Sequence, residues 1–274
     1  MQPQTISEQM QYSTVRLVTN SDLKGTGFFF QFKINEQDIP IIITNKHVIN
    51  YNEDEEVNFF LHSKKEQLLG EEKMNIKFKP KWYFHKDKDL CFCFFAPLLH
   101  QIKEKLHQDI FFIPITEGLI WDNKKLEDLS AIEEIIMVGY PIGLWDEKNN
   151  LPIFRKGITA HHPAMDFNNK NIGIVDMACF PGSSGSPIFI LNENGFSDKK
   201  GTMYLGTTRV VFLGILFQGP IFTAKGDLII ENIPTQQKVI SKTPLMINLG
   251  YYIKSIEIID FKGIIEEIIS KQNI

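Results

Sequence analysis

Short apolar runs, separated by polar turns that contain glycine and proline, recur along most of the chain. Three of these runs, at 41–43, 90–95 and 188–191, are rich in β-branched and aromatic side chains. Such runs are typical of buried strands. Two other stretches, 98–108 and 255–271, have the three- and four-residue spacing of apolar positions that indicates a helix. The pattern predicts an all-β protein that ends in an amphipathic helix.

The segment Gly-Ser-Ser-Gly-Ser-Pro at 182–187 stands directly before the third run. Its glycines allow a tight turn that exposes Ser184 and lets the backbone N–H groups of Gly182 and Ser184 converge on one point. A serine nucleophile needs an imidazole base, which in turn needs a carboxylate partner. His47 follows the first run and Asp89 precedes the second. The placement predicts acyl transfer by Ser184, His47 and Asp89, although an ordinary solvated turn also explains the hexapeptide taken alone.

Five segments together resemble the trypsin-like (chymotrypsin-fold) serine peptidases, nearest to the bacterial HtrA/Deg and glutamyl endopeptidase group. The segments are 25–28, 44–48, 89–90, 138–143 and 180–187. The resemblance implies two antiparallel six-stranded β-barrels. The first, residues 1–113, would carry His47 and Asp89, and the second, residues 114–274, would carry Ser184 and the closing helix, with no PDZ domain. It also implies a serine endopeptidase that acts on protein or peptide substrates, with Gly182 and Ser184 as oxyanion hole and with no cofactor.

The same resemblance assigns a substrate-binding surface. Ala178 would lie at the base of the primary specificity pocket and Gly250 on another wall. Phe217, Gln218 and Gly219 would form an edge strand that pairs with the substrate backbone. Cleavage after Lys or Arg would need an acidic residue at the base, because a buried cation without a partner is costly. We therefore expect the protein to accept an uncharged residue of medium size before the cut.

Two departures from the family affect the expected regulation. Ser183 stands where animal digestive relatives have an aspartate, so activation through a newly released N-terminus is not available. The enzyme would be competent as synthesised, or gated by a change in the oxyanion turn. The segment 220–247 is longer than a tight strand connection, and we interpret it as a lid or as a site for a regulatory protein partner. A catalytically silent domain that only binds peptides or a partner remains an alternative.

Several titratable residues suggest other chemistry. His85, Asp87 and Asp89 have the residue types of metal ligands, but they alternate with lysines, so we predict a polar loop and no metal. His161 and His162 are interpreted as surface residues, with a role in substrate selection as the alternative.

Composition excludes some classes of protein. The net charge is −4 and the Lys and Arg residues are scattered, which argues against nucleic-acid binding. The longest apolar stretch, 90–99, is too short to span a membrane, and the N-terminus lacks the pattern of an export signal. The three cysteines give no disulfide framework, so we expect a cytoplasmic protein. The charged stretch 64–79 is interpreted as a solvated loop.

Overall fold

The apolar runs form strands in two β units that pack against each other. The computed structural model describes residues 2–64, 69–219, 221–228, 239–246 and 248–272. Its helices are α1 (Ile6–Met10), α2 (Ala96–Leu106), α3 (Asn123–Leu126) and α4 (Asp260–Gln272). Short 3-10 turns cover Lys46–Ile49, Glu117–Leu119, Pro141–Gly143, Phe167–Asn169 and Ser255–Ile259. The predicted all-β class with a C-terminal helix is confirmed.

Within the described residues, nine strands form the N-terminal sheet. They are β1 (Thr14–Thr19), β2 (Lys24–Ile34), β3 (Gln37–Thr44), β4 (Val57–Lys64), β5 (Leu69–Phe78), β6 (Tyr83–Phe84), β7 (Cys91–Phe94), β8 (Asp109–Phe111) and β9 (Ile115–Thr116). The main order is β5-β4-β1-β2-β3-β7-β6, while β8 pairs with β4 and β9 pairs in parallel with β2. This unit therefore has three more strands than the six expected: β8 and β9, after α2, add to two of the long strands, and the two-residue strand β6 adds to β7.

The C-terminal unit is a closed barrel of six antiparallel strands, as predicted. It contains β10 (Glu134–Gly139), β11 (Ile153–Thr159), β12 (Ile172–Asp176), β13 (Pro187–Asn192), β16 (Arg209–Gln218) and β19 (Leu249–Lys254). Two separate two-stranded ribbons follow β13 and β16 in the chain. They are β14 (Gly195–Ser197) with β15 (Met203–Leu205), and β17 (Ile221–Leu228) with β18 (Val239–Met246). The ribbon β17–β18 occupies the described part of the long segment 220–247, whose residues 220, 229–238 and 247 lie outside the described residues.

One apolar core joins the two units. Phe28 of β2 meets Phe212 of β16 edge to face, with ring centroids 5.6 Å apart. Phe261 of α4 is fully buried and packs against Phe92 of β7, with centroids 4.8 Å apart. Because α4 follows the last barrel strand yet contacts the N-terminal sheet, it fixes the two units against each other.

The interpretation of 64–79 as a solvated loop was wrong, since β5 pairs with β4 along most of this stretch and its charges alternate with apolar residues such as Met74 and Ile76. The division at residue 113 stays a prediction, and Ile115–Thr116 beyond it pairs with β2.

None of the helices in the described residues has the length and apolar character needed to cross a membrane.

Candidate active site

His47 stands just beyond the end of β3, in the 3-10 turn Lys46–Ile49. The buried strand residue Thr44 anchors this end, since its hydroxyl donates to the carbonyl of Thr26 at 2.8 Å. The His47 side chain is 33% exposed. The anchored strand therefore presents the imidazole at the surface while the turn behind it is held.

Asp89 lies in the loop between β6 and β7 and faces His47. Its Oδ2 is 2.5 Å from Nδ1 of His47, and its Oδ1 accepts the backbone N–H of His47 at 3.2 Å. Buried Asn45 donates to the Asp89 carbonyl at 2.7 Å, a contact that the sequence analysis missed. A carboxylate on Nδ1 fixes the tautomer that carries its proton there, which leaves Nε2 free to act as a base.

Ser184 lies in the turn between β12 and β13, at the seam between the two units. Its carbonyl accepts the N–H of Thr26 at 2.9 Å, and the next N–H, of Gly185, donates to Leu216 at 2.9 Å. Gly182 and Gly185 have φ values of +86° and +85°, which favour glycine. The carbonyl of Thr26 also accepts from the hydroxyl of Thr44, so the turn is connected to β3, the strand that ends shortly before His47. Among the described residues, no hydrogen bond joins the Ser184 hydroxyl to His47.

Hydrogen bonds fix the direction of the peptide between Pro181 and Gly182. The Pro181 carbonyl accepts the N–H of Ile142 at 2.6 Å. In a trans peptide the N–H points away from the carbonyl, and the chain has no cis peptide among its described residues. The N–H of Gly182 therefore points to the side opposite Ile142, where it finds no acceptor in the described structure.

The peptide between Ser183 and Ser184 is fixed in the same way. The Ser183 carbonyl accepts the N–H of Ser186 at 3.0 Å, so the N–H of Ser184 points to the opposite side. It too has no acceptor among the described residues. In both peptides, the hydrogen-bonded carbonyl thus fixes the direction of the N–H group of the same peptide. Both predicted oxyanion-hole N–H groups remain available to an external oxygen.

Thr26 is a second residue that the sequence analysis did not single out for its side chain. It is fully buried, and its hydroxyl donates to the carbonyl of Gly182 at 3.2 Å. The same oxygen accepts the N–H of Tyr140 at 3.1 Å and lies 3.1 Å from the hydroxyl of Ser186. The Thr26 side chain, which comes from the N-terminal sheet, therefore connects Gly182, before Ser184, with Ser186, after it.

Ile142, whose N–H holds Pro181, has an unusual backbone. Its φ of 54° and ψ of 20° lie in the left-handed region, which is strained for a β-branched residue, and its side chain is 66% exposed. Strain of this kind costs about 1–3 kcal/mol and persists where surrounding contacts over-determine it. The strained backbone allows the N–H of Ile142 to reach the oxyanion turn.

A cleft of about 590 Å³ opens beside Asp89. Its lining includes Phe217 and Gln218, two of the predicted substrate-binding residues, and the rings of Phe167 and Tyr251. The register between β16 and β19 shifts at this point, where Gln218 comes opposite Tyr251. The predicted edge strand therefore faces the cleft that contains the candidate acid.

The other predicted pocket residues lie apart from this cleft lining. Ala178 is half-buried in the segment after β12, and Gly219 follows the end of β16. Gly250 is in β19, where a Cβ would lie 2.5 Å from Sγ of Cys179 and 2.8 Å from Leu216. Gly250 is thus in contact with Cys179, the residue that follows Ala178. Burial raises the pKa of the Cys179 thiol to about 11, so this thiol stays protonated at neutral pH.

The remaining titratable candidates separate into different roles. His161 packs against Phe167 of the cleft, with ring centroids 5.8 Å apart, while Nδ1 of His162 accepts the N–H of Ala164. His85 lies in the loop between β6 and β7, where a polar loop was predicted, but it is only 3% exposed. Its ligand atom lies within 4.8 Å of those of Glu257 and Asp260, which is the group in the described residues that has the composition of a metal site.

No protein-family model and no curated protein matches the chain. Among solved structures, it is similar to the HtrA-type protease AlgW with decapeptide, at 11% identity and a TM-score of 0.48 over 94% of this chain and 66% of that chain. It is also similar to the scabies mite inactivated protease paralogue S-I1, at 10% identity and a TM-score of 0.42 over 96% of this chain and 98% of that one. The chain spans about two thirds of the AlgW chain. Both likenesses concern the fold alone.

Proposed function

We propose that this protein is a serine endopeptidase with Ser184 as nucleophile, His47 as base and Asp89 as the acid that orients His47. Nε2 of His47 takes the hydroxyl proton as Oγ of Ser184 bonds to the substrate carbonyl carbon. The peptide C–N bond then breaks, and the imidazolium gives its proton to the leaving amine. Water, activated by the same imidazole, hydrolyses the acyl-enzyme and restores the serine.

The pair of amides with fixed direction is the observation that carries the proposal. The carbonyls of Pro181 and Ser183 are both engaged, which leaves the N–H groups of Gly182 and Ser184 for a developing oxyanion. Donors arranged in advance cost no reorganisation during the reaction, and losing one typically costs about 3–4 kcal/mol of transition-state stabilisation. An ordinary solvated turn gives no reason for this arrangement.

The test is covalent labelling of the purified protein with a fluorophosphonate, followed by mass spectrometry to locate the modified residue. We expect labelling at Ser184 that is abolished in Ser184→Ala and in His47→Ala. Ser197→Ala, which removes an exposed hydroxyl from β14, is the matched control and should label like the wild type.

Two results would contradict the proposal. Labelling that survives in His47→Ala would show that no base activates the serine. An unlabelled but folded wild type would favour the alternative of a silent peptide-binding module, which agrees with the missing hydrogen bond between the Ser184 hydroxyl and His47. Peptide binding in the cleft beside Phe217 would then be the function to measure.

We further propose that the enzyme cleaves after uncharged residues of medium size, with Ala178 at the pocket base and the peptide paired to Phe217, Gln218 and Gly219. The close approach of Gly250 to Cys179 supports a pocket of limited depth. Digestion of a denatured protein mixture, with identification of the new termini, tests this. Cleavage concentrated after Lys and Arg would refute it.

The segment 220–247 is proposed to receive a regulatory partner. The described part of it, the ribbon β17–β18, is paired only with itself among the described strands. Replacing the segment by a short linker should change basal labelling of Ser184 or abolish binding of a partner recovered with the full chain. A replacement that changes neither would remove this part of the proposal.

A further inference from the structure

We propose that His85 is a positioning residue for Asp89 and that it couples the loop that carries Asp89 to the C-terminal segment. This inference rests on the proposed function, because it gives His85 its role through the candidate catalytic acid. His85 lies four residues before Asp89 in the loop between β6 and β7, and among the described residues no hydrogen bond or ring contact joins it to His47.

One side of the His85 ring organises the loop. The backbone N–H of His85 donates to the carbonyl of Leu90 at 2.9 Å, which closes the loop around Asp89. Nδ1 then accepts the N–H groups of Asp87 and Lys88 at 3.1 and 3.0 Å. A single ring nitrogen thus holds the two residues immediately before Asp89. This nitrogen is shielded from solvent, since His85 is only 3% exposed.

The other side of the ring faces the C-terminal segment. Nε2 lies 3.3 Å from Oδ2 of Asp260 and 3.8 Å from Oε2 of Glu257. Phe261, the next residue in α4, packs on the ring with centroids 5.7 Å apart. Because Nδ1 accepts two N–H groups, it carries no proton, and the proton of the neutral ring is on Nε2. No acceptor among the described residues takes a hydrogen bond from Nε2, although both carboxylates lie beside it.

The same tautomer argues against a metal at this cluster. A metal-bound imidazole nitrogen must have a free lone pair, and its other nitrogen normally donates a hydrogen bond. Here Nδ1 accepts, and Nε2 carries the proton. Positive charge is already supplied to Glu257 by Nζ of Lys88 at 3.8 Å. In this tautomer Nε2, the ring nitrogen beside the carboxylates, therefore offers no lone pair to a metal.

These contacts give a continuous physical connection from α4 to the candidate site. Phe261 packs on the His85 ring and the carboxylates of Glu257 and Asp260 lie beside its Nε2. The ring orients the amides before Asp89, and Asp89 orients His47. Displacing a catalytic group by about 1 Å can cost on the order of a hundredfold in rate. Loss of the acceptor at Nδ1 should therefore reduce reaction at Ser184 without changing any group that touches the substrate.

The experiment compares His85→Phe with His85→Asn. Phenylalanine fills the ring space but accepts no hydrogen bond, whereas the asparagine Oδ1 can replace Nδ1 as acceptor. We expect amide hydrogen exchange at residues 87 and 88 to speed up in His85→Phe, and fluorophosphonate labelling of Ser184 to slow by roughly ten- to a hundredfold. Both changes should be largely reversed in His85→Asn. His100→Phe, at an exposed position of α2, is the control and should change neither quantity.

Coupling to the C-terminal segment is tested with Glu257→Gln and Asp260→Asn combined, which keep the side-chain shapes and remove the charges. This variant should also raise exchange at residues 87 and 88. The inference is overturned if a folded His85→Phe keeps wild-type exchange, or if His85→Asn is no better than His85→Phe. Because exchange is measured without catalysis, a wild type that cannot be labelled would refute the proposed function while leaving this inference open to the exchange result.

Discussion

Replacing Thr26 by valine removes one hydroxyl from the centre of the serine turn and changes little else in side-chain shape. The buried hydroxyl donates to the Gly182 carbonyl and receives the N–H of Tyr140, and it lies within hydrogen-bond distance of the Ser186 hydroxyl. Valine leaves the donors of Tyr140 and Ser186 facing a methyl group. We expect the variant to be less stable and its oxyanion turn to be less well defined.

The magnitude follows from the number of groups left unpaired. An unsatisfied buried donor costs about 1–3 kcal/mol, so the donors of Tyr140 and Ser186 together cost about 2–6 kcal/mol if neither finds a new partner. The Gly182 carbonyl, which also loses its donor, adds to this cost. This is a large share of a typical stability of about 5–15 kcal/mol. Thr26→Ser keeps the hydroxyl and loses only a methyl group, for which we expect about 1 kcal/mol.

Urea denaturation measures the free energies of unfolding of Thr26→Val, Thr26→Ser and the wild type, and fluorophosphonate labelling measures the rate at Ser184. Thr26→Val should lose at least 2 kcal/mol and label roughly tenfold more slowly or worse, while Thr26→Ser should stay near the wild type in labelling. The reasoning fails if valine is as stable as serine at this position, or if a folded Thr26→Val labels at the wild-type rate.

Three further predictions concern other parts of the molecule. Ile142→Asn should raise the urea midpoint because it relieves the left-handed backbone of a β-branched residue, and we expect a gain of about 1 kcal/mol in the free energy of unfolding. No gain would mean that packing of the exposed Ile142 side chain stabilises the protein. Arg209→Met should cost about 3–5 kcal/mol because it leaves Glu133 buried without its partner at 2.5 Å, and adding Glu133→Leu should recover much of this loss in the same denaturation assay. Burial raises the pKa of Cys179 from 9.0 to about 11, so the folded state binds this proton more tightly than the unfolded chain. The free energy of unfolding should therefore fall between about pH 9 and pH 11, and it should fall less in Cys179→Ala. An identical pH dependence of the urea midpoint in the wild type and in Cys179→Ala would contradict this.

The apolar pattern predicted the β class and the closing helix, and the places of His47 and Asp89 at strand ends predicted their contact. These features depend on local periodicity and on side chains placed at strand ends. The barrel that carries Ser184 was implied by the resemblance that the ordered motifs carry. The roles of Thr26 and Ile142 could not be predicted in this way, since each depends on a hydrogen bond between residues far apart in the sequence. The burial of His85 was not predicted for a related reason. Its neighbouring lysines indicate a polar loop, but the residues that bury it, such as Phe261, come from the other end of the chain.

The closing strand β19 has a consequence for how the chain acquires its structure. Leu249–Lys254 pairs with β12 on one side and with β16 on the other, so the barrel stays open at both edges until this strand is in place. Pairings between distant segments form slowly, and open strand edges can pair with other chains. During synthesis on the ribosome, the Ser184 turn therefore emerges well before the barrel can close around it. Because of this order, the nascent chain is most exposed to aggregation before residue 254 has been released.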